Sequence, residues 1–495
     1  MNMLLLSLIM IPLAAAALIQ LVRTLHRKAY VIIGLLAVCL TFCISLFLLL
    51  NKPANGVIIY NAFATGPSDG IPLMLDGLSA LFMIMVNFIG LMVAIFSISY
   101  MAKFSYKNIY WSLLLILIGS LNGILLNGDI LNLYIFLEVS CIASAALIGF
   151  GVREKGLEAA FKYLVMSLVA SVLMVLGIAL AYWLAGSTNL AQISVALSFC
   201  PSASKTLIVS LLLFGCASKA SLVPFLAWLP DAHQCAPAPI SAFLSGVLIK
   251  ASGVYVVIRL CYNVFGMTYP LSNVLLVLGA LSIIIGSFLA IGQRDMKRLL
   301  GFSSISQVGY IILGVGLASP MGVMGGLFHL FNHSLFKPLL FLNAGAVEHS
   351  TGTRNIEDLG GLGQKMPVTG MTGMVGALSI SGMPPFNGFW SKLFVIIACV
   401  QAGHIGLAVI AVLGSILTLA YMLKVQKKVF FGDLPHKLKN IGKLHFAMGL
   451  PMVFLALLCL LTGVFFQLVI LWIISPAATS VLQGLNYGVI LMGGI

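Results

Sequence analysis

LNLYIFLEVSCIASAALIGF, residues 131–150, is apolar almost throughout and carries one charge, Glu138, about seven residues in. Twenty residues of helix span about 30 Å, the thickness of a bilayer's hydrocarbon core. A carboxylate at that depth costs several kcal/mol unless it is neutral, hydrated or paired with a cation. Four lysines lie in other apolar segments, Lys219, Lys250, Lys337 and Lys392, and each is a candidate partner. One buried acid and four buried lysines are best read together as a proton path.

Composition agrees with a membrane setting. Hydrophobic residues make up 61% of the 495, and charged residues only 8%. That is a polytopic, all-α membrane protein, expected as a single membrane domain. The net charge of +14 does not point to nucleic acid, because the basic residues fall in short loops between spans. There they set topology and meet anionic lipid. The nine cysteines form no CxxC and no cluster with histidines, so no metal, iron–sulfur group, other cofactor or disulfide framework is expected. The run 3–22 lacks a preceding basic region and a small-residue cleavage site, and reads as a retained first span.

Runs of roughly twenty apolar residues fall near 3–22, 30–50, 77–100, 109–127, 131–150, 161–185, 206–228, 240–258, 272–292, 299–317, 322–343, 367–400, 404–423 and 447–474, giving fourteen spans. Residues 480–495 read as an interfacial tail. Loops after odd-numbered spans hold nineteen Lys and Arg, and loops after even-numbered spans hold three. The positive-inside rule then places both termini on the non-cytoplasmic side of the cell's cytoplasmic (inner) membrane.

Two segments carry their own interruptions. Segment seven, LLLFGCASKASLVPFLAWLP, has Lys219 in mid-span and Pro224 five residues later. Segment twelve, over 30 residues long, is broken by Gly382, Pro384, Pro385 and Gly388, with Lys392 after the break. Proline removes a backbone donor and clashes with the preceding turn. Broken membrane helices are tolerated where they line protein or water, and matching breaks in two halves point to inverted repeats. The expected layout is 1–108 (helices 1–3), 109–260 (first repeat, helices 4–8), 261–425 (second repeat, helices 9–13) and 426–495 (helix 14 and tail).

His329, His333 and Lys337 stand at i, i+4 and i+8 in segment eleven and form one polar stripe. Two histidines four apart suit zinc, but no HExxH glutamate or third ligand accompanies them. A hydrated proton relay fits the stripe better, with helix–helix hydrogen bonding as the plain alternative. His233, beside Asp231 in the expected loop after segment seven, is a candidate inlet relay or an ordinary surface histidine. Asp76 and Asp129 stand at span edges, where helix capping accounts for them.

At this point the motifs LDGLSALF, GDILNLYIFLEVSCIAS, SKASLVPFLAWLPDAHQCAPAPISAFLSGVLIKASGVY, QRDMKRLLGFSSISQVGYI, HLFNHSLFKPLLF and SGMPPFNGFWSK resemble a known family. It is that of the antiporter-like, proton-translocating subunits of respiratory complex I, which includes Mrp-type sodium/proton antiporters and membrane-bound hydrogenases. The resemblance covers roughly residues 70–430. It implies fourteen helices, two inverted five-helix repeats, and broken helices seven and twelve. It also implies roles: Glu138 as the helix-five glutamate, Lys219 as its helix-seven partner, and Lys250 as the central helix-eight lysine. His329, His333 and Lys337 match the polar stretch of helix eleven, and Lys392 the terminal residue of helix twelve, which is a glutamate in one branch. The lysine there, and the absence of a long lateral helix after span fourteen, favour a Mrp D-like or hydrogenase-type member.

The expected function is therefore proton conduction within a larger complex of integral membrane subunits, with redox chemistry or ion exchange in the partners. A sodium/proton exchange module is the alternative in the same class. A quinone-linked or redox membrane enzyme is the alternative in another, and it lacks any sequence signature of a redox site. A non-transporting scaffold with charges that only position helices is a further alternative.

Overall fold

The computed structural model describes residues 2–22, 28–51, 56–62, 70–151, 153–439, 441–442 and 444–486. The topology-setting residues Arg23, Arg27, Lys52 and Lys443, and positions 487–495 of the expected tail, lie outside the described residues.

Long apolar stretches become helices because a backbone in hydrocarbon must bond to itself. The chain opens with α1 (Asn2–Val22) and α2 (Ala29–Leu50). A small antiparallel hairpin follows, β1 (Ile58–Ala62) on β2 (Ile71–Leu75), with Ile58 opposite Leu75. Then come α3 (Gly77–Tyr100), α4 (Lys107–Leu126), α5 (Ile130–Ile148), α6 (Glu154–Ala185) and the short α7 (Leu190–Ser198). The first interrupted segment is α8 (Ser202–Lys219) and α9 (Trp228–Cys235). The next span runs Ala238–Val264. It comprises α10 (Ala238–Phe243), α11 (Tyr255–Ile258) and π-helical turns at Leu244–Leu248, Lys250–Val254 and Arg259–Val264. After it come α12 (Tyr269–Ile291), α13 (Met296–Gly316) and α14 (Pro320–Thr351). The second interrupted segment is α15 (Pro367–Ser381) and α16 (Asn387–Gln401). The chain closes with α17 (Ile405–Phe430), α18 (Phe446–Val464), α19 (Phe466–Val469) and α20 (Ser475–Leu482).

Eleven helices among the described residues are long and apolar enough to cross a membrane, so the chain is a multi-pass, helical membrane protein. The spans Ala238–Val264 and Met296–Gly316 are buried along their length, whereas α2, α6 and α17 show broad apolar faces outward. Small residues let the inner helices close. A Cβ on Gly286 would stand 2.6 Å from Ser306 N, and one on Gly309 would stand 2.7 Å from Gly279 O. That backbone-to-backbone approach is how α12 and α13 pack without a hydrophobic drive between them.

The two interruptions are built alike, residue for residue at a shift of 161. Ser221 and Gly382 both take the left-handed conformation, with φ of 56° and 80°. Ser221 N bonds Ser218 O at 3.1 Å, and Gly382 N bonds Ser379 O at 3.1 Å. Leu222 N bonds Ala217 O, and Met383 N bonds Leu378 O, again both at 3.1 Å. A cis proline follows in each, Pro224 and Pro385. A second correspondence runs at a shift of 166. Helices α6 and α14 are each 32 residues long and end on left-handed glycines, Gly186 and Gly352. Beyond them Asn189 bridges to Asp129, and Asn355 to Asp295.

Several expectations need correction. The stretch after the first break is not a loop: Asp231 and His233 lie in α9, and His233 is fully buried. Arg259, one of the three basic residues counted in loops after even-numbered spans, is instead buried in a π-helical turn. Glu138 is not the only buried acid. Its side chain is 28% exposed, whereas Asp76 is wholly enclosed. Asp76 does cap α3, in a capping box with Ser79, but it also takes a bidentate pair from Arg259 at 2.7 and 2.9 Å. A guanidinium fork can satisfy both carboxylate oxygens at once, which makes burial of the two charges tolerable. The sixth helix starts at Glu154 rather than near 161, and residues 190–198, expected as loop, are helical. The last span kinks at Phe465 and carries on to Leu482.

Candidate functional site

The first break stops α8 at Lys219, so that the lysine is the last residue of a helix that ends inside the protein. Its ammonium donates three hydrogen bonds: to Glu138 Oε1 at 3.1 Å, Ser167 Oγ at 3.1 Å and Ser171 Oγ at 3.2 Å. Three donors meet three acceptors, which accounts for the whole ammonium. Ser171 in turn donates to Glu138 Oε1 at 2.5 Å, and Cys141 Sγ donates to Ser167 Oγ at 2.9 Å. Charge-assisted bonds of this kind hold an ion pair where water is scarce. Beside Lys219 lies a cavity of about 10 Å³, also lined by Ser140, Tyr163 and Ser252. That is the size needed for a single water, and Ser252 is two residues from Lys250.

Lys250 is fully buried and donates to its own helix, to Ser245 O and, at 2.6 Å, to Gly246 O. The π-helical turns around it widen the spacing of backbone acceptors, and such turns recur at functional sites. Ser245 Oγ meets Ser304 Oγ of α13 at 2.8 Å. The neighbouring Ser303 accepts from Lys337 at 2.5 Å, and Leu300 O accepts from it at 2.7 Å. Serines therefore join the Lys250 and Lys337 environments across three helices. Pro338 packs on Gly246, where a Cβ would stand 2.6 Å from its Cγ.

His329 sits between Ser391 (Nδ1, 3.0 Å) and Gln307 (Nε2 to Oε1, 3.2 Å). The Gln307 amide nitrogen donates to Thr418, so its carbonyl faces the histidine and Nε2 is the donor. His333 is buried, neither ring nitrogen is hydrogen-bonded to any of the described residues, and its ring lies 6.5 Å from that of His329. Lys392 is 3% exposed, has no hydrogen-bond partner among the described residues, and holds its ammonium 4.8 Å above the Tyr310 ring. That ring is 5.4 Å from His329.

The sequence-derived residues thus fall into three groups: Glu138 with Lys219, Lys250 with Lys337, and His329 and His333 with Lys392. His233 stands apart against Phe341, rings 4.7 Å apart, with both nitrogens unbonded among the described residues. Pro224, Pro384 and Pro385 lie in the breaks. Among the described residues no three His, Cys, Asp or Glu side chains gather as a metal site. Sequence reasoning missed the hydroxyls Ser167, Ser171, Ser303 and Ser304, the ring of Tyr310, and Lys297, which is 1% exposed and donates to Ala236 O. One signal was available. At the shift of 166, Ser167 corresponds to His333 and Ser171 to Lys337, so both stripes occupy the same face of matching helices.

The family described as NADH:quinone oxidoreductase/Mrp antiporter, transmembrane, matches residues 127–418. The N-terminal family of complex I chain 5 matches residues 70–108. The chain is 36% identical over 377 residues to the N-type subunit of NADH-quinone oxidoreductase from Desulforudis audaxviator, covering 74% of each chain. It is 30% identical to a D-type Na(+)/H(+) antiporter subunit from Alkalihalophilus pseudofirmus, covering 94% of each. Among solved structures, a chain of the Mrp complex from Dietzia sp. superposes with a TM-score of 0.90 at 26% identity, over 99% of this chain and 98% of that one. A chain of an archaeal membrane-bound sulfane sulfur reductase does so with 0.90 at 27%, over 98% and 99%. By sequence and by fold, this chain belongs to the NADH:quinone oxidoreductase/Mrp antiporter transmembrane family.

Proposed function

We propose that the chain conducts protons, as the antiporter-like membrane subunit of a multi-subunit ion-translocating complex. The path runs Glu138–Lys219–Lys250–His333/Lys337–Lys392. The observation that carries this reading is the set of buried titratable groups linked by serines, by Tyr310 and by a water-sized cavity. A lysine that loses its proton changes what its neighbours favour, so charge change at one end propagates along the row.

The matched breaks and the matched 32-residue helices support two inverted repeats, residues 109–260 and 261–425. Counting α14 and the two interrupted segments with the eleven continuous spans supports fourteen crossings. The bias in basic residues supports termini outside the cytoplasm, in the cell membrane. Partners are other integral membrane subunits, with lipid around them. Glu138 supports this, because it is part-exposed on a face shared with Ile135 and Ile142, 48% and 66% exposed. A carboxylate bare to lipid is costly, and a neighbouring subunit would cover it.

The test is Lys219→Ala in the intact assembly in sealed vesicles. Proton transport should be lost while the assembly persists, and normal transport would sink the reading. Sodium/proton exchange is the second reading, favoured by the 94% coverage of a Na(+)/H(+) antiporter subunit. Sodium-dependent proton movement would establish it, and indifference to sodium would exclude it.

A further inference from the structure

Three lysines near the end of α17 take no part in the path through the membrane. Ala420, Lys424, Lys427 and Phe431 follow one another at helical-turn spacing and share a face. With Leu423, Gln426 and Met374 of α15 they line a cavity of about 360 Å³. Among the described residues no Asp or Glu lines it. The three lysines differ in what they meet. Lys428 is matched by Glu357 at 2.5 Å. Lys424 donates to Ile291 O at 3.0 Å and Gln293 O at 3.4 Å, which caps the end of α12. Lys427 is exposed and forms no ion pair among the described residues. The cavity thus carries two positive charges and no acid in its walls.

Gln426 is a separate observation. It is 4% exposed, and its Oε1 has no donor among the described residues. Buried acceptors are almost always met, and an unmet one is costly. Gln426 lines this cavity, as well as a second of only about 20 Å³. Along α17 the same side of the helix is apolar: Leu413, Ile416 and Leu423 are 54%, 57% and 43% exposed. Leu413 to Leu423 is about 15 Å of helix, half the thickness of a hydrocarbon core. The track is therefore one leaflet long, and its lysines stand at headgroup depth, where such side chains meet anionic lipid.

A soluble anion would meet the lysines and leave the track bare. A partner helix would cover the track but would need an acid for Lys427 and a donor for Gln426. One lipid molecule supplies all three. We propose that this groove binds an anionic glycerophospholipid whose headgroup carries a hydroxyl, as phosphatidylglycerol does. The phosphate lies at Lys424 and Lys427, the hydroxyl donates to Gln426 Oε1, and an acyl chain follows Leu423, Ile416 and Leu413. The site is separate from the proton path and stands whether or not the chain conducts protons.

The test uses the intact assembly in phosphatidylcholine nanodiscs that contain a lipid with a photoactivatable acyl chain. Labelled peptides are quantified by mass spectrometry against labelling of the whole chain. Photoactivatable phosphatidylglycerol should label residues 413–431 at least fivefold more than photoactivatable phosphatidylethanolamine. Unlabelled phosphatidylglycerol should compete, and soluble glycerol phosphate should not. Lys427→Gln, a change at an exposed position, should cut the labelling about fivefold. Gln426→Leu should cut it at least threefold. Equal capture of the two lipids, or either variant labelled like wild type, overturns the site. Displacement by glycerol phosphate also overturns it, and makes the groove a site for a free phosphate ester. A 413–431 segment that stays unlabelled in the assembly overturns it too, and means that a partner subunit covers this face. If Gln426→Leu does not assemble, Lys427→Gln and the competition decide the matter.

Discussion

Replacing Ser171 by Ala tests whether the Glu138–Lys219 pair is tuned or merely present. The hydroxyl does two jobs at once. It donates to Glu138 at 2.5 Å and accepts from Lys219 at 3.2 Å. Hydrogen bonds to charged groups contribute about 1.5–3 kcal/mol each. Losing this one destabilises the charged pair relative to its neutral form by that order. At 1.36 kcal/mol per tenfold, the proton-transfer equilibrium shifts by roughly ten- to a hundredfold. The side chain lost is small and the helix keeps its backbone bonds, so assembly should survive. The assay is the initial rate of proton movement in sealed vesicles at fixed assembly content, measured beside Ser171→Thr, which restores a hydroxyl. A tenfold or greater loss in the alanine variant, recovered by threonine, is the expected result. A rate within twofold of wild type for Ser171→Ala would show that the serine only fills space.

Asp76→Ala leaves Arg259 buried without its carboxylate, and breaking such a pair costs about 3–5 kcal/mol. The melting temperature of the detergent-purified protein should fall by several degrees, and an unchanged value would refute the pairing's importance. Tyr310→Leu removes the ring under Lys392, an interaction of about 2 kcal/mol when dry. Flux should fall about tenfold or more, while Tyr310→Phe, which keeps the ring, should hold much of it; equal losses in both would move the weight to the hydroxyl's contact with Ala411. Gly388→Ala would place a Cβ 1.8 Å from Ser379 O, a backbone atom that cannot rotate away. Assembled protein should be nearly absent from membranes by quantitative blotting, and normal levels would refute the packing at the second break.

The long helices and both interruptions were legible because hydropathy and proline act locally. The charged residues of the site were legible for a related reason: a Lys, Glu or His in an apolar run announces its own cost. What stayed hidden was set by distance in the chain. Nothing near Arg259 in sequence says that it reaches Asp76, 183 residues away. Asp76 satisfied a simpler explanation, a helix cap, and that explanation is true without being complete. Residues 229–235 read as a loop because Pro230, Asp231 and His233 are poor helix interior residues in isolation. They are helical because the protein encloses them. Ser167 and Ser171 carry no charge and look like helix-packing residues, so only the pairing of α6 with α14 singles them out.

That pairing of equal helices makes the molecule its own control. At the positions matched by the shifts of 161 and 166, a change has a counterpart with a similar local backbone and different chemistry. Asp129 and Asp295 both cap a helix and bridge an asparagine 60 residues on. Removing either measures what the scaffold itself requires. Ser167 and His333, or Asp231 and Lys392, differ in what they can titrate while occupying corresponding turns. Comparing losses across each pair would subtract the cost of folding from the cost of transport, within a single chain and without a reference protein.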